Sequence, residues 1–193
     1  EQGLKDRRFI NEAATRYGLA PALTRSKDFR RANREVAKPH RLLPRSAAVT
    51  ALRGQLLVAS GDYPGAIEHY KAQALVHPDY RALVYDHANV LILSGEPDAA
   101  VKLVEARLRD YPDDSRLYLL QSRAYAAQGK RLLQHKAQAE AYARQGQIGA
   151  AVEQLQIAAR SGDGDFYQLS SVEARLRELR AQLKAIEKER RQQ

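Results

Sequence analysis

The side chains best suited to chemistry in this chain are its histidines, because imidazole binds metals and transfers protons near neutral pH. They are His40, His69, His77, His87 and His135. His69 and His77 lie eight residues apart across a predicted helix end, and no HExxH motif or comparable His/Glu pair occurs. The chain has no cysteine, which excludes thiolate metal sites and a cysteine nucleophile. The sequence therefore predicts no metal, no cofactor and no catalytic residue in this segment.

The stretch SGDGDFYQ at residues 161–168 is the one loop that resembles a ligand-binding loop. A phosphate site is disfavoured because Asp163 and Asp165 would repel phosphate and no lysine completes the motif. A calcium loop needs more oxygen ligands than these two carboxylates supply. No serine lies in a recognisable nucleophile elbow either. A structured turn is the favoured interpretation.

The net charge of +9 is concentrated at the two ends of the chain. Residues 1–45 carry 12 Lys/Arg against 5 Asp/Glu, and residues 173–193 carry 7 against 4. A nucleic-acid reader concentrates charge on its binding surface, and here the stretch between the ends is close to neutral. For the basic segment 30–41, a solvated helix face is favoured over a nucleic-acid patch. No specific nucleic-acid partner is predicted.

A regular spacing of prolines and glycines predicts the elements that carry these side chains. Pro44, Pro78 and Pro112 fall 34 residues apart, and each of the last two follows a glycine, Gly61 or Gly95, by 17 residues. Small and bulky residues recur at fixed places within this period. In the repeat that starts at Ala47 they are Gly54, Leu57, Ala66 and Tyr70. The pattern resembles the tetratricopeptide repeat family, in which each 34-residue unit is a pair of helices joined by a tight turn.

This resemblance implies an all-α solenoid of about four helical hairpins, one of them shortened, with a C-terminal capping helix and no strand. We expect a single solenoid over residues 1–193. Its predicted parts are a degenerate first hairpin (5–44), two regular repeats (45–79 and 80–113), fused shortened repeats (114–160), a loop (161–170) and the capping helix (171–193). No run of 18 apolar residues occurs, so no transmembrane segment is predicted.

Three local signals lead to more detailed expectations. Pro21 is expected to kink or end the first helix, because proline lacks an N–H and clashes with the preceding turn. Two prolines, at 39 and 44, predict an extended connection over residues 38–46. Ser170 and Glu173 form a predicted capping box that opens the last helix, whose apolar stripe favours a capping role over a coiled coil.

In the repeat family the first helix of each pair lines a concave groove. The matching positions here combine small residues, such as Ala51, with aromatic, amide and basic side chains. The side chains expected to contact a partner protein or peptide are Gln55, Tyr85, Asn89, Arg116 and Arg123. Only Asn89 matches the carboxylate-clamp set of the family, which disfavours capture of a chaperone C-terminus.

A more specific resemblance covers residues 134–183, with the GDFYQ segment (164–168) and the ARLRELR segment (174–180). These are similar to the C-terminal region of periplasmic β-barrel assembly-enhancing zinc metalloproteases. The resemblance implies a periplasmic, non-catalytic arm that contacts the outer-membrane assembly machinery and unfolded β-barrel clients. It also implies a zinc peptidase domain upstream, and the start at Glu1 without methionine suits a mature or excised piece.

Two alternatives remain open at this point. One is a free-standing repeat scaffold that oligomerises through its C-terminal helix. The other, less favoured, is a nucleic-acid-binding repeat protein. A signal peptide and an HExxH motif upstream of Glu1 in the gene would favour the metalloprotease arm over both.

Overall fold

The computed structural model describes residue 15 and residues 18–42 and 46–192. These residues form helices without any strand, which confirms the all-α prediction. The helices are α1 (18–25), α2 (Phe29–Leu42), α3 (Ala47–Ala59), α4 (Tyr63–Val76), α5 (Arg81–Leu93), α6 (Pro97–Asp110), α7 (Ser115–Ala127), α8 (Arg131–Arg144), α9 (Ile148–Ala159) and α10 (Phe166–Gln192).

The turns between paired helices are built on a left-handed residue, as the glycine spacing predicts. Gly61, Gly95, Gly129 and Gly146 have φ values of +84°, +84°, +73° and +74°. Glycine takes this conformation without the steric cost that a Cβ imposes, and it lets the chain reverse directly after a helix. In the first of these turns the Asp62 N–H donates to the carbonyl of Leu57 at 3.0 Å, which closes the end of α3.

The helix starts also follow the sequence signals. The Asp62 carboxylate accepts the Gly65 N–H at 3.0 Å, and Asp114 accepts the Arg116 N–H at 3.0 Å. Pro64 and Pro97 lie in the first turns of α4 and α6, where the missing N–H removes no intrahelical bond.

The chain divides into two compact units, Glu1–Ser94 and Gly95–Gln193. In the first unit α3 packs against α2, α4 and α5, and α4 packs against α5. Its core is formed by two clusters of buried apolar side chains. They are Ala20, Leu23, Ala32, Val36, Leu52 and Leu56, and then Ala51, Ala66, Tyr70, Leu83 and Val90. The single solenoid expected over residues 1–193 stays a prediction.

The crossing of α3 and α4 brings the Tyr70 ring against the backbone of Gly54. A Cβ atom on Gly54 would lie 2.3 Å from the Tyr70 Cζ, far inside van der Waals contact. Tyr70 is 1% exposed, so its ring has little room to withdraw. The small residue predicted at this position is therefore required by the packing of the two helices.

We expect Gly54→Ala to destabilise the first unit, because overpacking a close crossing typically costs about 1–3 kcal/mol. Gly149→Ala is the matched control, since a Cβ there meets nothing within 4 Å. The control should be neutral or gain up to about 1 kcal/mol, because alanine favours the helix over glycine. Denaturant unfolding followed by circular dichroism measures both. Equal stability of Gly54→Ala and the parent would contradict the packing.

The N-terminal helices correct two expectations. The helical residues 18–25 run through Pro21, so this proline does not end the helix, and the kink that it was also expected to cause stays a prediction. α2 extends to Leu42 and includes Pro39, so residues 38–42 are helical and not an extended connection. The preference that proline imposes on the residue before it is a bias, and the helix that begins at Phe29 overrides it. The predicted helix before residue 15 and Pro44 lie outside the described residues.

Lys27 occupies the place of a turn glycine, and its φ of 60° is left-handed. A Cβ in this conformation costs about 1–2 kcal/mol, so Lys27→Gly should stabilise the first unit by about 1 kcal/mol. Lys27→Ala removes the same charge but keeps the Cβ, and it should give no such gain. Denaturant unfolding of the two variants distinguishes relief of strain from loss of charge. A gain of the same size in Lys27→Ala would show that relief of backbone strain at residue 27 is not the cause.

The second unit is organised around α8, which packs against α7, α9 and α10. Its buried cluster includes Leu132, Leu155 and Val172. The apolar stripe of α10 joins this cluster through Leu176 and Leu179, with Leu183 and Ile186 partly buried beside it. This stripe is therefore used within the chain, as a capping helix requires.

The start of α10 corrects the predicted capping box. The helix begins at Phe166, so Ser170 and Glu173 lie inside it and the loop is shorter than 161–170. The reciprocal bonds run instead between Asp165 and Gln168. The Gln168 N–H donates to Asp165 Oδ1 at 2.7 Å, and the Asp165 N–H donates to Gln168 Oε1 at 3.3 Å. Both pairs have the capping-box spacing, and the earlier one is used because it directly follows the loop.

Candidate functional site

The three predicted contact residues of the first unit lie on the neighbouring helices α3 and α5. Gln55 is exposed, and its Nε2 donates to Asp86 Oδ2 on α5 at 3.0 Å. Tyr85 and Asn89 are half-buried on α5 and lie one helical turn apart. The hydrogen bond places the amide of Gln55 beside the α5 residues, so the structure brings these three side chains into one region. We refer to Gln55, Tyr85, Asp86 and Asn89 as the α3/α5 surface.

The α3/α5 surface is connected to the core through Asp86 and Tyr70. Burial first, and then the negative charge of Asp86, raise the pKa of Tyr70 well above the ordinary value for a phenol. The Tyr70 ring therefore stays neutral, and it stacks on His87 with ring centroids 6.3 Å apart. Asp86 thus lies beside both the exposed Gln55 and the buried tyrosine, a role that periodicity alone did not reveal. Ala51, predicted at a groove-lining position, is instead 6% exposed and part of the core.

The other two predicted contact residues, Arg116 and Arg123, lie in the second unit on α7. Both side chains are exposed, and their seven-residue separation places them on one face of the helix. Within the described residues, the Arg123 side chain has no hydrogen bond or ion pair. A guanidinium presented in this way can bind a carboxylate through two parallel N–H bonds.

A polar network links α8 to α10, and the sequence analysis did not identify it. The Arg175 guanidinium binds the Glu140 carboxylate through two bonds, Nε to Oε1 at 2.8 Å and Nη2 to Oε2 at 3.0 Å. The hydrogen bond to Glu140 is the largest effect that raises the pKa of Arg175. Arg144 also pairs with Glu140, and its guanidinium lies 4.4 Å from the Tyr118 ring centroid. The Arg144–Glu140 pair has helical spacing, so it was visible in the sequence. The contact between Arg175 and Glu140 joins residues 35 positions apart and was not visible there.

The GDGDFYQ segment acts as a structured turn that caps two helices. Asp163 accepts the N–H groups of Arg131 and Leu132, the latter at 3.0 Å, so it caps α8 from the loop before α10. Gly164 lies against Leu132, where a Cβ would be 2.2 Å from Cδ1. A hydrogen bond from Ser161 first, together with these backbone bonds, holds the pKa of Asp163 below its ordinary value. Two exposed aromatic side chains, Phe166 and Tyr167, follow this turn.

We expect the Asp163 cap to make stability depend on acidity. Because the folded-state pKa is lowered, the contribution is complete above the ordinary value of 3.8 and is lost as the pH falls through the folded-state value. Asp163→Asn should therefore be less stable than the parent near neutral pH, and the two should converge in acid. Denaturant unfolding over a pH series measures the difference, and the exposed Asp79→Asn is the control. A difference in stability between Asp163→Asn and the parent that is independent of pH would contradict a cap formed by the ionised Asp163 carboxylate.

Two histidines of the described residues make polar contacts within the fold. His69 Nε2 lies 2.8 Å from the carbonyl oxygen of Thr50, and His135 Nδ1 lies 2.8 Å from Gln154 Oε1. Since a carbonyl only accepts, the His69 contact requires the proton on Nε2. In the part of the chain that the structure describes, no group of three His, Cys, Asp or Glu side chains is arranged to hold a metal ion. The same residues contain no helix that is long and apolar enough to cross a membrane.

Comparison with known proteins identifies the fold. Residues 57–124 match a family model described as tetratricopeptide repeat. The chain has a tetratricopeptide-repeat fold. No curated protein sequence matches the chain. Tetratricopeptide repeats generally mediate protein–protein interactions and are typically non-catalytic.

Solved structures agree with this tetratricopeptide fold. Residues 41 to the end of MamA from Desulfovibrio magneticus RS-1 align at a TM-score of 0.59 and 19% identity, over 89% of this chain and 96% of that one. A thermophilic tetratricopeptide protein of Thermus thermophilus aligns at a TM-score of 0.54 and 16% identity, over 86% and 98% of the two chains. At this identity the likeness concerns the fold alone. The binding role of the five predicted contact residues stays a prediction.

Proposed function

We propose that this chain is a protein-binding arm, and that it serves a periplasmic zinc metalloprotease by engaging the outer-membrane assembly machinery and unfolded β-barrel clients. The tetratricopeptide fold supports the general role. The resemblance of residues 134–183 to that protease family supports the specific setting and the periplasmic location. No cofactor is proposed for this segment, and the zinc peptidase domain is expected upstream.

The observation that carries the proposal is the α3/α5 surface. Its hydrogen bond between Gln55 and Asp86 fixes two polar side chains before any partner arrives, which lowers the ordering cost of binding. Tyr85 offers a large, half-buried aromatic side chain of the kind that dominates interfaces. Asn89 carries both a donor and an acceptor, so it can pair with the backbone amide of an extended peptide.

The second unit offers a complementary chemistry on α7. Arg116 and Arg123 present guanidinium groups that suit a carboxylate or the carbonyl oxygens of a peptide. Oligomerisation through α10 receives less support, because Leu176 and Leu179 on its apolar stripe are buried within the chain. We therefore expect the bound partner to be a different protein.

We expect Tyr85→Ala and Arg123→Ala each to weaken partner capture, because both remove an accessible side chain without opening a core cavity. Neither should lower the melting temperature by more than a small amount. In the intact protease the two variants should impair outer-membrane protein assembly while leaving cleavage of a small unfolded substrate largely intact. A pull-down of assembly components, paired with a melting curve, measures both effects.

Two further variants complete the experiment. Arg109→Ala removes an exposed arginine from α6, a second helix, and should bind as the parent does. Tyr167→Ala tests the rival contact site at the start of α10, where the side chain is 82% exposed. Binding that survives the changes at Tyr85 and Arg123 would reject the predicted surface. Loss of binding in Tyr167→Ala alone would show that the partner contacts the start of α10 instead.

A further inference from the structure

The exposed face of α2 carries a row of basic side chains. Lys27, which directly precedes the helix, and Arg30, Arg31 and Arg34 are all exposed. Within the helix Arg34 follows Arg30 by four residues and Arg31 by three, which places the three arginines along one side of α2, and Lys27 lies just before its first turn. We call these four residues the basic face. Lys38 and Arg41 continue the same spacing in the sequence of α2.

The opposite side of α2 fixes the direction in which this face points. Ala32 and Val36 are buried at 0% and 3%, in a cluster with Leu52 and Leu56 of α3. Phe29 packs against the same cluster. The helix therefore cannot rotate to bury its arginines, and its apolar side is not available to insert into a membrane.

Among the residues that the structure describes, few acidic side chains neutralise the basic face. Asp28 pairs with Arg31 at 3.6 Å, and the side chains of this pair are 36% and 60% exposed. Glu35 lies on the flank of the helix and is half-buried. Lys27, Arg30 and Arg34 form no ion pair with any acid in the described residues. Among the described residues a positive charge thus remains along about 6 Å of the helix, from Arg30 to Arg34, with Lys27 before the first turn.

We propose that the basic face of α2 docks on the anionic headgroups of a phospholipid bilayer. A straight row of cations on a fixed helix matches a flat surface of phosphates, and each guanidinium can bind a phosphate through two N–H bonds. The α2 helix lies on this surface and does not enter the hydrocarbon core. The site shares no residue with the α3/α5 surface, so it stands apart from partner capture.

The same observations favour a lipid surface over nucleic acid. Proteins that bind single strands stack bases on aromatic side chains, and the basic face has none, since Phe29 packs on the core. The basic face thus presents positive charge without an aromatic side chain for stacking, which suits a layer of anionic headgroups.

Co-sedimentation with vesicles tests this proposal. We expect the full chain to bind vesicles of phosphatidylglycerol and phosphatidylethanolamine, to leave pure phosphatidylcholine vesicles unbound, and to dissociate as salt is added. The double variant Arg30→Gln/Arg34→Gln should bind more weakly by roughly 25-fold, since each basic side chain near such a surface contributes about fivefold. Glutamine keeps the helix propensity of arginine, and circular dichroism verifies folding.

The matched control is Arg177→Gln/Arg180→Gln, which removes two exposed arginines one turn apart on α10 and changes the net charge equally. It should retain most of the binding. Equal losses in the two double variants would show a general charge effect and overturn the proposal. Absence of binding to the anionic vesicles would do the same. Tight binding of a DNA duplex that is lost in Arg30→Gln/Arg34→Gln, together with no binding to vesicles, would overturn the proposal. It would show that the basic face binds nucleic acid.

Discussion

The close crossing of α3 and α4, where the Tyr70 ring lies against the backbone of Gly54, is the contact on which the first unit depends. A Cβ would not fit there, so a glycine in α3 and a large planar side chain in α4 are needed together. The same ring lies beside Asp86, whose carboxylate holds the Gln55 amide on the exposed side. The packed core and the polar groups that are available to a partner therefore meet at Asp86.

Much of this arrangement could be predicted because its signals are local. The glycines placed 17 residues before each repeat proline mark the left-handed turns at Gly61 and Gly95, and both are observed. The site was predicted less completely. Periodicity placed Gln55 and Tyr85 on accessible positions, but it also placed Ala51 there, although its side chain is buried in the core. A repeat pattern defines which face of a helix a residue occupies, and its neighbours decide whether that face is covered.

The features that escaped the sequence analysis depend on residues far apart in the chain or on competition between equal local signals. Asp163 caps α8 by accepting the N–H of Arg131, which lies 32 residues earlier in the chain. Arg175 binds Glu140, which lies 35 residues earlier. No pattern within one helix reveals such pairs. The capping box was misplaced because two candidates of the same spacing lie close together in the sequence, and the loop length decides which one begins the helix.

Hydrogen exchange of the chain with and without an unfolded outer-membrane β-barrel protein tests the proposed binding role most directly. If the first helix of each pair contacts the partner, added protection should appear at residues 47–59, 81–93 and 115–127. The second helices, at 63–76 and 97–110, should change little. Protection confined to the second helices, or to the loop at 160–165, would contradict the account, as would a chain whose exchange is unchanged by the client.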